Sequence, residues 1–300
     1  MDKLENRKIK VVIVNYDENN NETILGEFEN LNVKFSYKKS ISVSNAGEGT
    51  VAICGLSKDL IQQMTSIYSN TRNLNKRIEI RLYAGYKETS LIISGTIKYA
   101  KPTMPPDIWI ECDVINGYRR RETCNNKTFE GIYSLKDISS MIAQYLGLNL
   151  IYRIENGDFE NVKAYNFTAD NCNDYALVNK LTELVKPTKE NKYGICAFID
   201  GENLIVDYLA LKPTLKERID KAINIDLNNG MVGLPEPSHA SYEVTITTLL
   251  DNSIKLCDVI KLDSLSIKAL NGNYYVQRIA YNGEFRGQNF YSVFSCRRIL

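Results

Sequence analysis

A 300-residue chain with 44% hydrophobic and 24% charged side chains has the composition of ordinary folded domains, which excludes wholesale disorder. Its 37 Lys and Arg against 36 Asp and Glu leave a net charge of +1, which excludes the basic excess of a general nucleic-acid binder. No uncharged apolar run approaches the roughly 20 residues of a membrane-spanning helix, and the charged stretch 1–10 has no apolar h-region, so no signal peptide and first folding in a cytoplasm are expected.

The first third reads as strands. Val11-Val12-Ile13-Val14 is a short apolar run, and Leu31, Val33, Phe35 and Tyr37 alternate with Asn32, Lys34 and Ser36, the period of a strand with one buried face. Residues 51–54, the alternating Ile78, Ile80 and Leu82, residues 91–99 after a turn at 85–88, and the alternating Ile108, Ile110, Cys112 and Val114 predict four more. One helix interrupts them, with Ser57 as its N-cap and Leu60, Ile61, Met64 and Ile67 at helical spacing.

The middle changes character. Ser134 with Asp137 forms a capping box, Leu135, Ile138, Met141, Ile142, Tyr145 and Leu146 keep helical spacing, and Gly147 is the stop. A second helix begins near Asn173, carries Ala176, Leu177, Leu181, Leu184 and Val185 on one face, and ends at Pro187. Short strands at 149–154, 194–199 and 204–209 complete a small α+β unit. The turn-rich stretch 228–237 reads as a junction. Strands then return: Tyr242, Val244, Ile246, Thr248 and Leu250 alternate with polar residues, followed by 259–262, 274–281 and 290–296. Asn271-Gly272-Asn273 and Asn282-Gly283 are placed as turns, since Asn-Gly between strands is a strong hairpin signal. The expected fold class is α+β and β-dominated, with two antiparallel β-barrel or sandwich domains, 1–118 and 230–300, flanking a smaller α+β domain, 119–229.

Catalytic motifs are scarce. The single histidine, His239, rules out most His-based metal sites and triads. Gly47-Glu48-Gly49-Thr50 lacks the Lys and spacing of a phosphate loop, and no GxSxG elbow occurs. Asp170, Asn171, Asn173 and Asp174 lack the Gly and Glu of a calcium loop and read as helix-capping residues. Carboxylate pairs such as Glu111 and Asp113, two apart on a predicted strand and on one face, are candidates for glycoside hydrolysis, and otherwise a solvated strand face. Arg119, Arg120 and Arg121, followed by Glu122, read as a solvated strand end or domain edge, with a phosphate or partner contact as the alternative. The Asn-x-Thr triplets at Asn21, Asn126 and Asn166 carry no meaning without a secretory signal. The seven cysteines are odd in number and without CxxC spacing, so they predict free thiols in a reducing compartment. No catalytic, cofactor-binding or metal residue is assigned.

The order of segments resembles the baseplate hub proteins of contractile phage tails. Thr50-Val51-Ala52-Ile53-Cys54-Gly55-Leu56-Ser57 is similar to that family's strand leading into a short helix. Ile80-Arg81-Leu82-Tyr83-Ala84-Gly85-Tyr86 followed by Leu91-Ile92-Ile93-Ser94-Gly95-Thr96-Ile97 resembles its next hairpin. Asn229-Gly230-Met231-Val232-Gly233-Leu234-Pro235 resembles the junction before a second tube domain, with Asp258-Val259-Ile260-Lys261-Leu262 and 274–285 after it; Cys257 stands where the family often has Gly. The resemblance implies two tube domains per chain and a homotrimeric, pseudo-six-fold ring that adapts the hexameric tail tube to a three-fold puncturing spike. It implies a virion or tail-like particle as location, with no cofactor. The implied partners are the tail tube or tube-initiator protein, the central spike, other baseplate proteins and the tape-measure protein, with DNA only in transit. The alternatives from the residues alone are a tail-associated cell-wall hydrolase and a carbohydrate-binding β module.

Overall fold

Val, Ile and aromatic side chains alternating with Lys, Glu, Ser and Thr extend most of the chain, because such residues pack well on a pleated, half-buried surface. A computed structural model describes residues 6–42, 47–66, 77–104, 107–187, 193–238 and 242–300. The N-terminal strands are β1 (Lys8–Tyr16), β2 (Glu22–Glu29), β3 (Asn32–Ser40), β4 (Glu48–Cys54), β5 (Arg77–Gly85), β6 (Ser90–Pro102) and β7 (Trp109–Ile115), with helix α1 (Lys58–Ser66) between β4 and β5. The middle carries α2 (Tyr118–Arg121), β8 (Asn125–Ser134), α3 (Leu135–Tyr145), β9 (Asn149–Tyr152), β10 (Lys163–Cys172), α4 (Asp174–Leu184), β11 (Ile195–Asp200), β12 (Asn203–Tyr208), α5 (Lys216–Asp220) and β13 (Ile223–Ile225). The C-terminal strands are β14 (Glu236–Pro237), β15 (Glu243–Leu249), β16 (Val259–Leu262), β17 (Gly272–Glu284) and β18 (Phe290–Arg298). The protein is therefore dominated by large antiparallel sheets.

The helices start where their caps require. Ser57 Oγ accepts from Leu60 N at 3.3 Å, Ser134 Oγ from Asp137 N at 3.2 Å, and Asn173 Oδ1 from Ala176 N at 2.8 Å, each satisfying an otherwise orphaned first-turn donor. Leu60 and Met64 of α1 are buried; Ile67 lies outside the described residues.

N- and C-terminal strands belong to one 13-stranded sheet, whose path runs β14-β15-β18-β17-β3-β4-β7-β6-β5-β1-β2. Every neighbour on that path is antiparallel. The two halves meet at β3 and β17, in register from Arg278↔Ser40 to Glu284↔Lys34. Along the same edge of β17, residues 272–275 pair instead with β16, which also takes β13 in parallel. The middle contributes the ribbon β10-β8 and the three-stranded sheet β11-β12-β9, against which α3 and α4 pack.

This pairing overrules one local signal. Asn282 and Gly283 sit inside β17, opposite Ser36 and Phe35 on one side and Tyr291 and Phe290 on the other. The chain turns later, at 285–289. Two partner strands satisfy the backbone through Glu284, and the Phe35 ring occupies the space a methyl on Gly283 would need. The glycine is there for close approach, not for a turn. Strand β2 and the ribbon β8–β10, which lack clean alternation, were invisible to periodicity alone.

Candidate functional site

The joined sheet has one buried face and one polar face. On β3, Val33, Phe35 and Tyr37 point into the core, while Lys34, Ser36 and Lys38 point out. Strand β4 buries Val51 and Ile53 and turns Glu48, Thr50 and Ala52 outward; β7 buries Ile110, Cys112 and Val114 and exposes Glu111 and Asp113. On β17, Arg278 is exposed and Ala280, Asn282 and Glu284 are half-buried between the buried Ile279, Tyr281 and Gly283. Because the period is two and the ladders joining β18, β17, β3, β4 and β7 are in register at this level, the outward set runs across the junction: Tyr291, Asn282, Ser36, Thr50 and Asp113 are successive cross-strand partners, and Tyr99 follows just after a bulge at 97–99.

Charges on this face neutralise one another. Lys38 Nζ lies 3.1 Å from Glu48 Oε1, and Arg278 Nη2 lies 3.7 Å from Glu243 Oε2. Lys34 is opposite Glu284 and Lys101 opposite Glu111 in the ladders. Lys34 Nζ also lies 5.3 Å from the Trp109 ring centroid, and Ser36 Oγ donates to Asn282 Oδ1 at 2.8 Å across the junction. Two shallow hollows of about 400 and 460 Å³ lie side by side here and share Ser36 and Thr50. Gly49 keeps β4 close to β3: a side chain there would meet the Ser36 carbonyl and the Tyr37 Cα. Behind the face, burial raises the Tyr37 and Tyr281 hydroxyls above the ordinary phenol range and pushes the Cys112 thiol up to about 12, so none of these ionises near neutral pH.

A second cluster ties the middle to the C-terminal strands. Asp207, fully buried on β12, accepts both guanidinium arms of Arg218 at 2.8 and 3.1 Å, with Arg153 3.6 Å away. Arg218 also donates to the Cys257 carbonyl at 2.7 Å, and Tyr275 OH donates to the Tyr208 carbonyl at 2.9 Å. The hydrogen bonds to Asp207 offset the burial that would otherwise loosen the Arg218 proton, and its pKa is raised. The signal in the sequence was a charge inside the apolar run 204–208.

The sequence candidates separate. Glu111 and Asp113 do share a face, but that face is an open, solvated wall with a lysine opposite Glu111, unlike the flanking carboxylates of a glycosidase cleft. The arginine triplet is no strand end: it forms α2, where Arg120 binds the Leu146 carbonyl at 3.2 Å and Asp174 at 3.1 Å, and Arg121 stacks 5.0 Å from the Tyr175 ring centroid. Only Arg119 points to solvent. Of the Asp/Asn cluster, Asn173 caps α4, and Asp174 is buried and bonded to Thr123, Asn125 and Arg120; Asp170 and Asn171 end β10. His239 lies outside the described residues. All seven cysteines are free. Among the described residues no group of three or more His, Cys, Asp or Glu side chains is placed to share a metal ion, and no helix is long and apolar enough to cross a membrane.

The sequence profile of the baseplate hub gp41 family matches residues 9–296. The chain belongs to that baseplate hub family. The hub's fold is shared at low identity with solved tail proteins. The 43 kDa tail protein of prophage MuSo2 from Shewanella oneidensis superposes with a TM-score of 0.56 at 11% identity, covering 97% of the hub chain and 98% of its own. A tail protein from Neisseria meningitidis MC58 gives 0.55 at 8%, covering 98% and 97%. A chain of the Francisella PdpA–VgrG complex gives 0.55 at 9%, covering 99% of the hub but 59% of that chain. No curated protein matches. The hub is thus a structural component of a phage tail.

Proposed function

We propose that the hub assembles as a homotrimeric ring in which each chain supplies two tube units, 1–118 and 230–300, with the middle unit 119–229 beside them. Six such units give pseudo-six-fold symmetry, which matches a hexameric tail tube on one side and a three-fold spike on the other. The observation that carries this reading is the continuous polar face across β15, β18, β17, β3, β4 and β7. A sheet with a hydrophobic core behind it and a wet, charge-balanced face in front is what a channel wall requires. The self-paired charges present little net field to a passing polymer, so DNA or a tape-measure protein slides past rather than binds. The face is concave at two hollows, as a wall curving round a lumen would be.

Ring closure draws on the sheet ends. Among the described residues strand β2 pairs with β1 alone and leaves its other edge, eight residues long, unpaired, whereas Pro235 and Pro237 blunt the β14 edge. Neighbouring copies cover these edges, and closure of each β unit into a barrel belongs to the same assembly. The role is structural rather than catalytic. The family, the tail-protein folds and the VgrG-complex chain that shares this fold support it.

Light scattering over a wide concentration range, with and without the candidate spike protein, tests the reading. A trimer, alone or with the spike, is expected. A strict monomer in both conditions overturns it. In the trimer, a cysteine placed at Thr50 should react with a small maleimide but be shielded from a bulky polymer-linked one.

A further inference from the structure

A groove of about 960 Å³ opens where the start of β1, the β5–β6 turn, the β17–β18 turn and β15 meet. Three cations line it: Arg7, Lys8 and Arg286. Arg7 donates through Nη1 to the carbonyls of Glu284 (2.8 Å) and Gly287 (2.6 Å), and through Nη2 to that of Gln288 (3.0 Å). The guanidinium also lies 5.0 Å from the Phe290 ring centroid and beside the Tyr86 hydroxyl, so its position is fixed while its charge meets carbonyls and rings rather than a carboxylate. Lys8 Nζ spends one donor on the Lys87 carbonyl at 2.8 Å, and Arg286 is exposed.

None of the three forms an ion pair among the described residues, although Lys10, a neighbour on β1, holds Glu27 at 2.6 Å. No carboxylate lines the groove. The Glu284 carboxylate packs against Gly287 at the rim, and in a chain of net charge +1 three cations without an ion pair in one concavity are a local excess. The rest of the floor is aromatic and apolar, chiefly Tyr86, Phe285 and Tyr291, all half-buried.

We propose that this groove docks an acidic, extended segment of a protein partner, with carboxylates on Arg7, Lys8 and Arg286 and an apolar side chain against the tyrosines and Phe285. Fixed guanidinium groups favour carboxylates, through charge-assisted hydrogen bonds. Half-buried aromatic rings favour a side chain that removes them from water. Nucleic acid fits less well, because its affinity scales with the number of cations tracking the phosphates, and here there are three above an apolar floor. The proposal does not depend on the ring; of its residues, Tyr291 also borders the polar face, whereas Arg7, Lys8 and Arg286 do not line that face's hollows.

The test uses the full chain and a labelled random copolymer of Glu and Tyr, with polyglutamate, a Lys–Tyr copolymer and oligo-dT as comparisons, read by fluorescence anisotropy at low salt. The Glu–Tyr copolymer should bind best. Arg286→Glu, alone and with Lys8→Glu, should weaken it by roughly tenfold or more, the worth of one or two charge-assisted bonds. Tyr291→Ala should erase the preference for Glu–Tyr over polyglutamate. Arg119→Glu, an exposed arginine on α2, should change neither. Arg286 is exposed and unpaired, so its reversal should leave the melting temperature unchanged and keep the test readable if Lys8→Glu disturbs β1. No binding, or equal weakening by Arg119→Glu, overturns the site. Tighter binding of oligo-dT, lost with the same two reversals, replaces the protein partner with nucleic acid and overturns the proposal as well.

Discussion

Tyr37 on β3 lies directly opposite Tyr281 on β17, and both rings are buried in the ladder that joins the N- and C-terminal strands. The Tyr281 hydroxyl donates to Asn252 Oδ1 at 2.7 Å, so the pair is held both by packing and by a hydrogen bond to the loop after β15. Tyr281→Phe should cost about 1 kcal/mol, one net hydrogen bond. Tyr281→Ala should cost about 3–5 kcal/mol, the range for emptying an aromatic site in a core. Urea unfolding followed by tyrosine fluorescence and circular dichroism measures both. A cost below that of the Phe variant for Tyr281→Ala would show that the junction contributes little.

Gly283 should tolerate no side chain while Phe35 stays. Gly283→Ala forces a methyl into the Phe35 ring and should lose about 1–3 kcal/mol, the usual cost of overpacking. Phe35→Leu costs stability by itself, but in combination with Gly283→Ala the two losses should sum to less than their separate values. Additive losses in that double-mutant cycle would mean the two residues do not share the space.

The buried pair Asp207–Arg218 should behave asymmetrically. Arg218→Met leaves a buried carboxylate held by the Tyr208 N–H at 2.7 Å and by Arg153 at 3.6 Å, and should cost about 3–5 kcal/mol. Asp207→Leu with Arg218→Met should recover much of that loss, because no charge is then left buried. Thermal melts of the two variants and the double variant decide it; a double variant no better than Arg218→Met would contradict the account.

Stability should fall in acid partly through Asp158. Burial alone would raise its pKa, but hydrogen bonds from Lys212 (2.5 Å) and Tyr208 OH (2.5 Å) outweigh it and hold the carboxyl below its ordinary value of 3.8. The unfolded chain therefore takes up the proton first. The stabilisation is complete above the ordinary value and is lost as pH falls through the lower, folded one. The stability gap between wild type and Asp158→Asn should narrow as pH drops from about 6 to about 3. A gap independent of pH would show that the carboxylate's charge plays no part.

The helices were legible because their signals are local. Ser57, Ser134 and Asn173 cap their own helices within three or four residues, so the sequence carries donor and acceptor together. Alternating strands such as β3, β5, β7 and β15 were legible for the same reason: a buried face writes itself at period two. The arginine triplet and Asn282-Gly283 misled, since their meaning comes from partners 26 or more positions away: Leu146 and Asp174 for Arg120, Phe35 for Gly283.

The sequence by itself determined that the protein is β-rich with an α+β middle, which residues face the core, and, through the order of short patterns, the hub family. Only the tertiary structure decided that the two sets of strands share one sheet through β3 and β17, that their polar faces form a continuous wall, and that Arg7, Lys8 and Arg286 meet in one groove. Periodicity reports the environment of each strand, whereas pairing between residues more than 200 positions apart depends on complementary surfaces that no local pattern encodes.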